Sequence, residues 1–180
     1  MLRRAVFTVA SLCTALSAAP AWSKSAFTSY GAVGRYALPA GAALLSAWKD
    51  DGEGATQLFA SATVTAGLTY GLKYAVDEQR PNGGRYSFPS GHTSFAFIGA
   101  AYVHERYGWE WGLPMELAAA AVGYSRVDAK AHHWYDVVAS AGIAHLSAYF
   151  LVDHRDSNVT LLPMVGGRKP VFGIVGSLRF

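Results

Sequence analysis

Between Tyr124 and Val138 the chain reads YSRVDAKAHHWYDVV, which sets Arg126, His132, His133 and Asp136 within a short stretch. A histidine beside a carboxylate is a basic unit of nucleophilic and acid–base chemistry. The carboxylate takes the N–H of one ring nitrogen and leaves the other bare for a substrate. His132 and Asp136 are four apart and share one face of a helix, while His133 and Asp136, three apart, can also meet. Spacing alone does not choose between the two histidines. It also allows a rival reading in which His and Asp ligate a metal together. Arg126 lies six residues before His132, on a different face of any continuous helix. A break is therefore expected between them, with Asp128 a reasonable cap and a helix starting near Lys130.

Two earlier stretches carry the same kind of chemistry. In KYAVDEQRP, Lys73 and Arg80 are seven apart, two turns along one helical face, so both can reach one anion. The plainer reading is a solvated helix end. In FPSGH, Ser90 is a good N-cap and Pro89 a good residue to precede it. A helix N-terminus offers free N–H groups and partial positive charge, which suit phosphate. Gly91 lets a bound group come close to the backbone, and His92 projects from the first turn beside it. Alone, these residues describe an ordinary capped helix. Together with the third stretch, they gather Lys73, Arg80 and Arg126, three cations that would repel a divalent metal and welcome an anion.

The elements that must position these residues read as helices. The first is expected over about 34–48, the second over 55–76 and the third over 92–106. The fourth covers 113–125, and the fifth runs from about 130 to the end of VVASAGIAHLSAYFLV. An irregular loop, RPNGGRYSFPSG, divides the second from the third. Before them, MLRR followed by an apolar run and AAPA reads as a signal peptide over 1–21 or a first membrane helix. After them, FGIVGSLRF alternates like a strand, and with NVTLLPMV before it a terminal hairpin is expected. The fold class is thus all-α: a bundle of about five helices over 22–156, after a signal or anchor helix, with a β-hairpin-like tail over 157–180. Ala55–Leu72 is uncharged but carries Gln57, Ser61, Thr63, Thr65 and Thr69, so it suits a membrane span and a buried helix equally. Setting aside Arg3 and Arg4 leaves 13 basic residues against 12 acidic ones, which excludes a nucleic-acid footprint. The single cysteine, Cys13, lies in the leader, so a cleaved chain has no disulfide framework and no thiolate chemistry.

Taken in order, the three stretches resemble the pattern of the type 2 phosphatidic acid phosphatase superfamily, which also includes bacterial acid phosphatases and vanadium haloperoxidases. That pattern is Lys, six residues, Arg-Pro; Pro-Ser-Gly-His; then Ser-Arg, five residues, His, three residues, Asp. Here it is met by Lys73 and Arg80-Pro81, by Pro89-Ser90-Gly91-His92, and by Ser125-Arg126, His132 and Asp136. The resemblance singles out His132 over His133. It implies a phosphatase that uses neither metal nor cofactor. His132 would be the nucleophile, Asp136 would orient it, and His92 would be the acid and base. Lys73, Arg80, Ser90, Gly91 and Arg126 would hold the phosphoryl oxygens. Lipid phosphatases of this type usually have six membrane helices, which the leader plus five would reproduce. The implied reaction is hydrolysis of phosphomonoesters or pyrophosphates, on a phosphorylated lipid of the cell envelope, with association with a membrane and a periplasm-facing site. A soluble periplasmic acid phosphatase on small phosphomonoesters is the alternative, and a non-catalytic binder of anionic lipid the more distant one.

Overall fold

In the computed structural model, residues 24–155, 159–166 and 171–178 are described, with side chains over 26–155. The leader expected over 1–21 lies outside the described residues. Five helices follow one another: α1 (Lys24–Trp48), α2 (Gly52–Val76), α3 (Gly91–Tyr107), α4 (Trp109–Asp128) and α5 (Trp134–Leu151). A two-stranded antiparallel sheet closes the chain, β1 (Val159–Gly166) pairing with β2 (Val171–Leu178) from Val159 opposite Leu178 to Gly166 opposite Val171. The expected all-α bundle with a hairpin tail is the observed architecture.

The third helix is the axis, and the other four pack around it. Its sequence explains why. Ala96, Phe97, Ile98, Ala100, Ala101, Tyr102 and Val103 are all buried, so α3 is apolar around most of its girth, as a central helix must be. Small residues then set how closely the neighbours approach. A Cβ on Gly99 would fall 2.6 Å from the backbone nitrogen of Pro39, so α1 crosses α3 at backbone contact. Gly99→Ala would force these two helices apart. Side-chain bonds fix the remaining registers: Thr69 of α2 donates to Ser94 of α3 at 2.9 Å. Ser140 of α5 donates to the Ser90 carbonyl at 2.9 Å.

At the end of the bundle where α1 leads into α2, a buried ion pair locks the elements. Arg106, 3 % exposed, donates through Nε and Nη2 to the two carboxylate oxygens of Asp51 at 2.8 and 2.7 Å. Asp51 also accepts from Tyr107 Oη and from the Gly54 N–H, both at 2.9 Å, and thereby caps α2. Burial pushes its carboxyl up, but the Arg106, Gly54 and Tyr107 bonds outweigh this and hold it at about 2. Arg106 further donates to the Asp153 carbonyl at 2.9 Å, tying the chain after α5 to the same knot.

The helix boundaries correct two expectations. The first helix starts ten residues earlier than the expected 34. The fifth starts at Trp134 rather than near Lys130, because Asp128 is still inside α4 and Lys130 turns the chain at a φ of 53°. His133, not Asp128, occupies the N-cap of α5. No helix among the described residues is long and apolar enough to cross a membrane.

Candidate active site

At the opposite end of the bundle, where α2 ends and α3 and α5 begin, a cavity of about 260 Å³ is lined by Arg35, Tyr70, Lys73, Arg80, Gly91, His92, Arg126, Ala131 and His132. Three motifs separated in sequence therefore meet in one place. Ser90 and Asp136, also expected at the site, lie behind this wall, both fully buried.

His132 sits in the turn before α5, not on the helix, so the expectation that it shares a helical face with Asp136 is corrected. The pair forms nonetheless, His132 Nδ1 lying 3.3 Å from Asp136 Oδ2. Asp136 reaches it because it occupies the third position of α5 and folds back over the helix start, accepting from the His133 N–H at 2.8 Å. Ser87 donates to the same oxygen. His133 supplies this backbone contact and stacks on Tyr135, with ring centres 4.9 Å apart. It does not line the cavity.

Lys73 and Arg80 also arrive by a route different from the expected one. The second helix stops at Val76 with Asp77 in the left-handed region, so the two cations do not share a helical face. Instead the following loop doubles back, the Arg80 N–H bonding to the Gly84 carbonyl at 2.7 Å and Gly83 taking a φ of 88°. The same loop supplies the carbonyls that hold Lys73: its Nζ donates to Tyr86 at 2.8 Å and Pro89 at 2.7 Å. Burial, then the charge of Arg80, lowers the Lys73 ammonium to about 8, with Asp136 opposing.

Arg126 comes from the last turn of α4 and is 6 % exposed. It donates to Ser125 Oγ at 3.0 Å and to the Thr28 carbonyl of α1 at 2.6 Å. The approach needs Gly31, since a Cβ there would lie 2.0 Å from Ser125 Oγ and 2.4 Å from Arg126 Nη2. Burial and then Arg35 lower its pKa.

Ser90 caps α3, accepting from the Thr93 N–H at 3.4 Å and from Thr93 Oγ1 at 2.9 Å. The first-turn amides of a helix have no carbonyl behind them to bond. Gly91, on the cavity wall, brings that positive end to the site. His92 lies beside it. Burial, then Arg35 and Arg126, hold its imidazole at about 4. His132 is also held at about 4, by burial and then Arg80 and Lys73, with Asp136 opposing. Two neutral histidines therefore face four cations across one cavity.

Sequence reading missed Arg35. It belongs to α1, outside every motif, and its Nη1 lies 3.4 Å from His92 Nε2. One signal was available: no other charge stands between Lys24 and Lys49. Ser87, the buried donor to Asp136, was missed too, because one serine in a Gly- and Pro-rich loop carries no pattern. As for metals, Glu78, His133 and Asp136 each bring one donor atom within 4.8 Å of the others. None of the three lines the cavity, and the Asp136 oxygen facing His132 and His133 already accepts from Ser87 and the His133 N–H.

One end of this all-α bundle gathers four cations, a helix N-terminus and two histidines around one cavity. The chain belongs to the PAP2 superfamily, whose family model matches residues 54–158. It is 35 % identical over 111 residues to the lipid A 4'-phosphatase of Helicobacter pylori, covering 55 % of this chain and 56 % of that protein. It is 42 % identical over 82 residues to lipid phosphate phosphatase 1 of Arabidopsis thaliana, covering 37 % of this chain and 25 % of that one. The chain thus spans about half, or less, of the length of these relatives. The crystal structure of Aquifex aeolicus LpxE superposes with a TM-score of 0.64, covering 81 % of this chain and 95 % of that one at 21 % identity, which establishes the shared fold.

Proposed function

We propose that this protein is a phosphatase that works without a metal and hydrolyses lipid phosphates of the cell envelope through a phosphohistidine. The observation that carries this reading is the cavity wall, where Lys73, Arg80, Arg126 and Arg35 surround two neutral histidines and no carboxylate is present. Such a wall is charged to receive a phosphoryl dianion and to stabilise the charge that develops as the ester breaks.

The residues divide the work. Asp136 accepts the Nδ1–H of His132 and leaves Nε2 as the lone-pair nitrogen that attacks phosphorus. As the N–P bond forms, the ester bond breaks and the leaving oxygen takes a proton from His92. Water then attacks the phosphohistidine, gives a proton to His92 and releases inorganic phosphate. His92 must therefore be protonated when substrate is bound. The incoming dianion favours this, because its charge opposes the burial and the Arg35 and Arg126 charges that hold His92 neutral. Ser90 acts through its cap, which fixes the N-terminus of α3 and with it Gly91 and His92. Lys73, held by the Tyr86 and Pro89 carbonyls, couples the loop to the phosphate.

A lipid substrate is supported by the rim. Tyr36, Tyr70, Tyr74, Tyr124, Trp134 and Tyr135, on the helix stretches that line or border the cavity, are each 46–67 % exposed. Aromatic rings in that position suit the headgroup level of a membrane. Between α2 and α5, Val64, Leu68, Ile143, Leu146 and Phe150 line an apolar groove of about 380 Å³. Both features support association with a membrane, with the chain exported to the envelope and the cavity facing the periplasm. The helical region 22–156 is the catalytic unit in this reading.

The test is inorganic phosphate release in detergent with EDTA present, for wild type and His132→Ala. The panel comprises phosphatidic acid, undecaprenyl pyrophosphate, a lipid A phosphate and p-nitrophenyl phosphate. The expected result is release that needs His132, resists EDTA and prefers a lipid. Preference for p-nitrophenyl phosphate would replace the lipid reading with a periplasmic acid phosphatase. Release from none would leave a binder of anionic lipid.

A further inference from the structure

One carboxylate oxygen stands within reach of two histidine rings. Asp136 Oδ2 lies 3.3 Å from His132 Nδ1 and 3.5 Å from His133 Nδ1. The other oxygen, Oδ1, is buried and bonds nothing among the described residues. The two rings therefore compete for a single acceptor, yet only His132 lines the cavity. Whatever turns the carboxylate toward His132 has to act on Oδ2.

Two further donors reach that oxygen. The His133 N–H, at 2.8 Å, fixes the carboxylate over the start of α5 without choosing between the rings. Ser87 donates its hydroxyl to Oδ2 as well, and its Oγ also lies 3.5 Å from His133 Nδ1. A hydroxyl has one proton and two lone pairs. With the proton on Oδ2, the lone pairs are what Ser87 presents to His133, so that ring has an acceptor other than the carboxylate. Ser87 is fully buried, and its backbone N–H is held by the Glu78 carbonyl at 2.8 Å. It lies outside the three motifs and does not line the cavity, so it acts through Asp136 alone.

We propose that Ser87 is a positioning residue that commits Asp136 to His132 and keeps His133 off the carboxylate. This rests on the phosphatase reading above. Asp136 serves the reaction by fixing the ring and tautomer that leave His132 Nε2 bare. A carboxylate shared with His133 would leave His132 misaligned in a fraction of the molecules, and rate falls steeply with such misplacement. The effect belongs to kcat and not to KM, because Ser87 touches no phosphoryl oxygen.

The experiment measures kcat and KM on p-nitrophenyl phosphate and phosphatidic acid for wild type, Ser87→Ala, His133→Ser and the double variant. His133→Ser removes the ring and keeps a good N-cap for α5. Loss of one hydrogen bond to a charged group predicts a fall of about 10- to 100-fold in kcat for Ser87→Ala, with KM within about twofold. Ser87→Cys, close in volume but a weak donor, should lie between Ser87→Ala and wild type. The double variant should regain about fivefold or more over Ser87→Ala, because the competing ring is gone, whereas a serine kept for packing alone predicts losses that multiply. As a readout independent of turnover, the downfield proton NMR signal of a ring N–H bonded to a carboxylate should vanish in His132→Gln and persist in His133→Ser. Losses that multiply, a raised KM with kcat intact, or a ring signal that belongs to His133 would overturn the role of Ser87 and leave the phosphatase reading standing. A wild type that releases phosphate from neither ester would overturn that reading, and this inference with it.

Discussion

The two ends of the bundle handle arginine in opposite ways. At one end Arg106 is buried against both oxygens of Asp51 and the Asp153 carbonyl, so each donor faces an acceptor. At the other, among the described residues, Arg126 bonds to a serine hydroxyl and a backbone carbonyl, and neither it nor Arg35 nor Lys73 has a carboxylate within ion-pair distance. The first arrangement is complete in itself. The second has positive charge that the protein does not neutralise. Burying like charges together raises the energy of the folded chain, and such clusters mark sites where a ligand supplies the missing charge. The contrast fits the proposed division, with stability at the paired end and anion binding at the other.

Removing the acid from the paired end should have the largest effect on folding. Asp51→Ala strips the buried Arg106 of its bidentate partner and leaves only Glu53, at 4.0 Å, as a carboxylate nearby, at a cost of about 3–5 kcal/mol. Thermal or urea unfolding would show it. An Asp51→Ala protein as stable as wild type would break the contrast at its structural side. Next comes His92→Ala, which should slow hydrolysis of alkyl phosphates by about 10²- to 10⁴-fold. p-Nitrophenyl phosphate, whose leaving group scarcely needs a proton, should be affected far less, and equal losses would count against His92 as the acid. Arg126→Ala should lower kcat/KM on any phosphate ester by about 10²- to 10³-fold, the range for deleting one donor to a developing charge. Its melting temperature should fall less than that of Asp51→Ala. The reverse order would mean that the cation-rich end, not the paired one, holds the bundle together.

The smallest effect is a pH dependence of stability. His92 and His132 titrate at about 4 in the fold and near 6.5 in the unfolded chain. Below 6.5 the unfolded state takes up protons that the folded state refuses, so stability is full above that pH and declines as pH falls toward 4. About 3 kcal/mol for the two together is the expected scale, allowing for the half-exposed His92. Phosphate in the buffer should shrink the decline, because a bound anion lets both rings accept protons. A flat profile from pH 7 to 4.5 would remove the buried neutral histidines from the argument.

Much of the site was legible in the sequence, because a motif is a statement about neighbours along the chain. Lys73, Arg80, Gly91, His92, Arg126 and His132 meet where three short stretches said they should. The geometry between them was less legible. Lys73 and Arg80 are brought together by a loop that doubles back on itself, not by helical spacing, and no periodicity reports such a turn. His132 and Asp136 meet across a helix start, and a histidine at the N-cap is a weaker signal than the aspartate at 128 that invited the earlier boundary. Arg35 was invisible for another reason. His92, which it faces across the cavity, is 57 residues away, and only packing places α1 against the motif helices. The hairpin was easier, since strand alternation is local.

The bond from Arg126 to the Thr28 carbonyl, and the notch that Gly31 leaves for it, also say how far back along the chain the cavity is supported. The stretch matched by the family model starts at residue 54, yet one wall of the cavity and an anchor of one of its arginines are built by a helix that precedes it. A fragment cut at the family boundary would carry every motif and still lack a side of this cavity. In this chain the matched signature and the stretch that builds the cavity are different lengths of polypeptide.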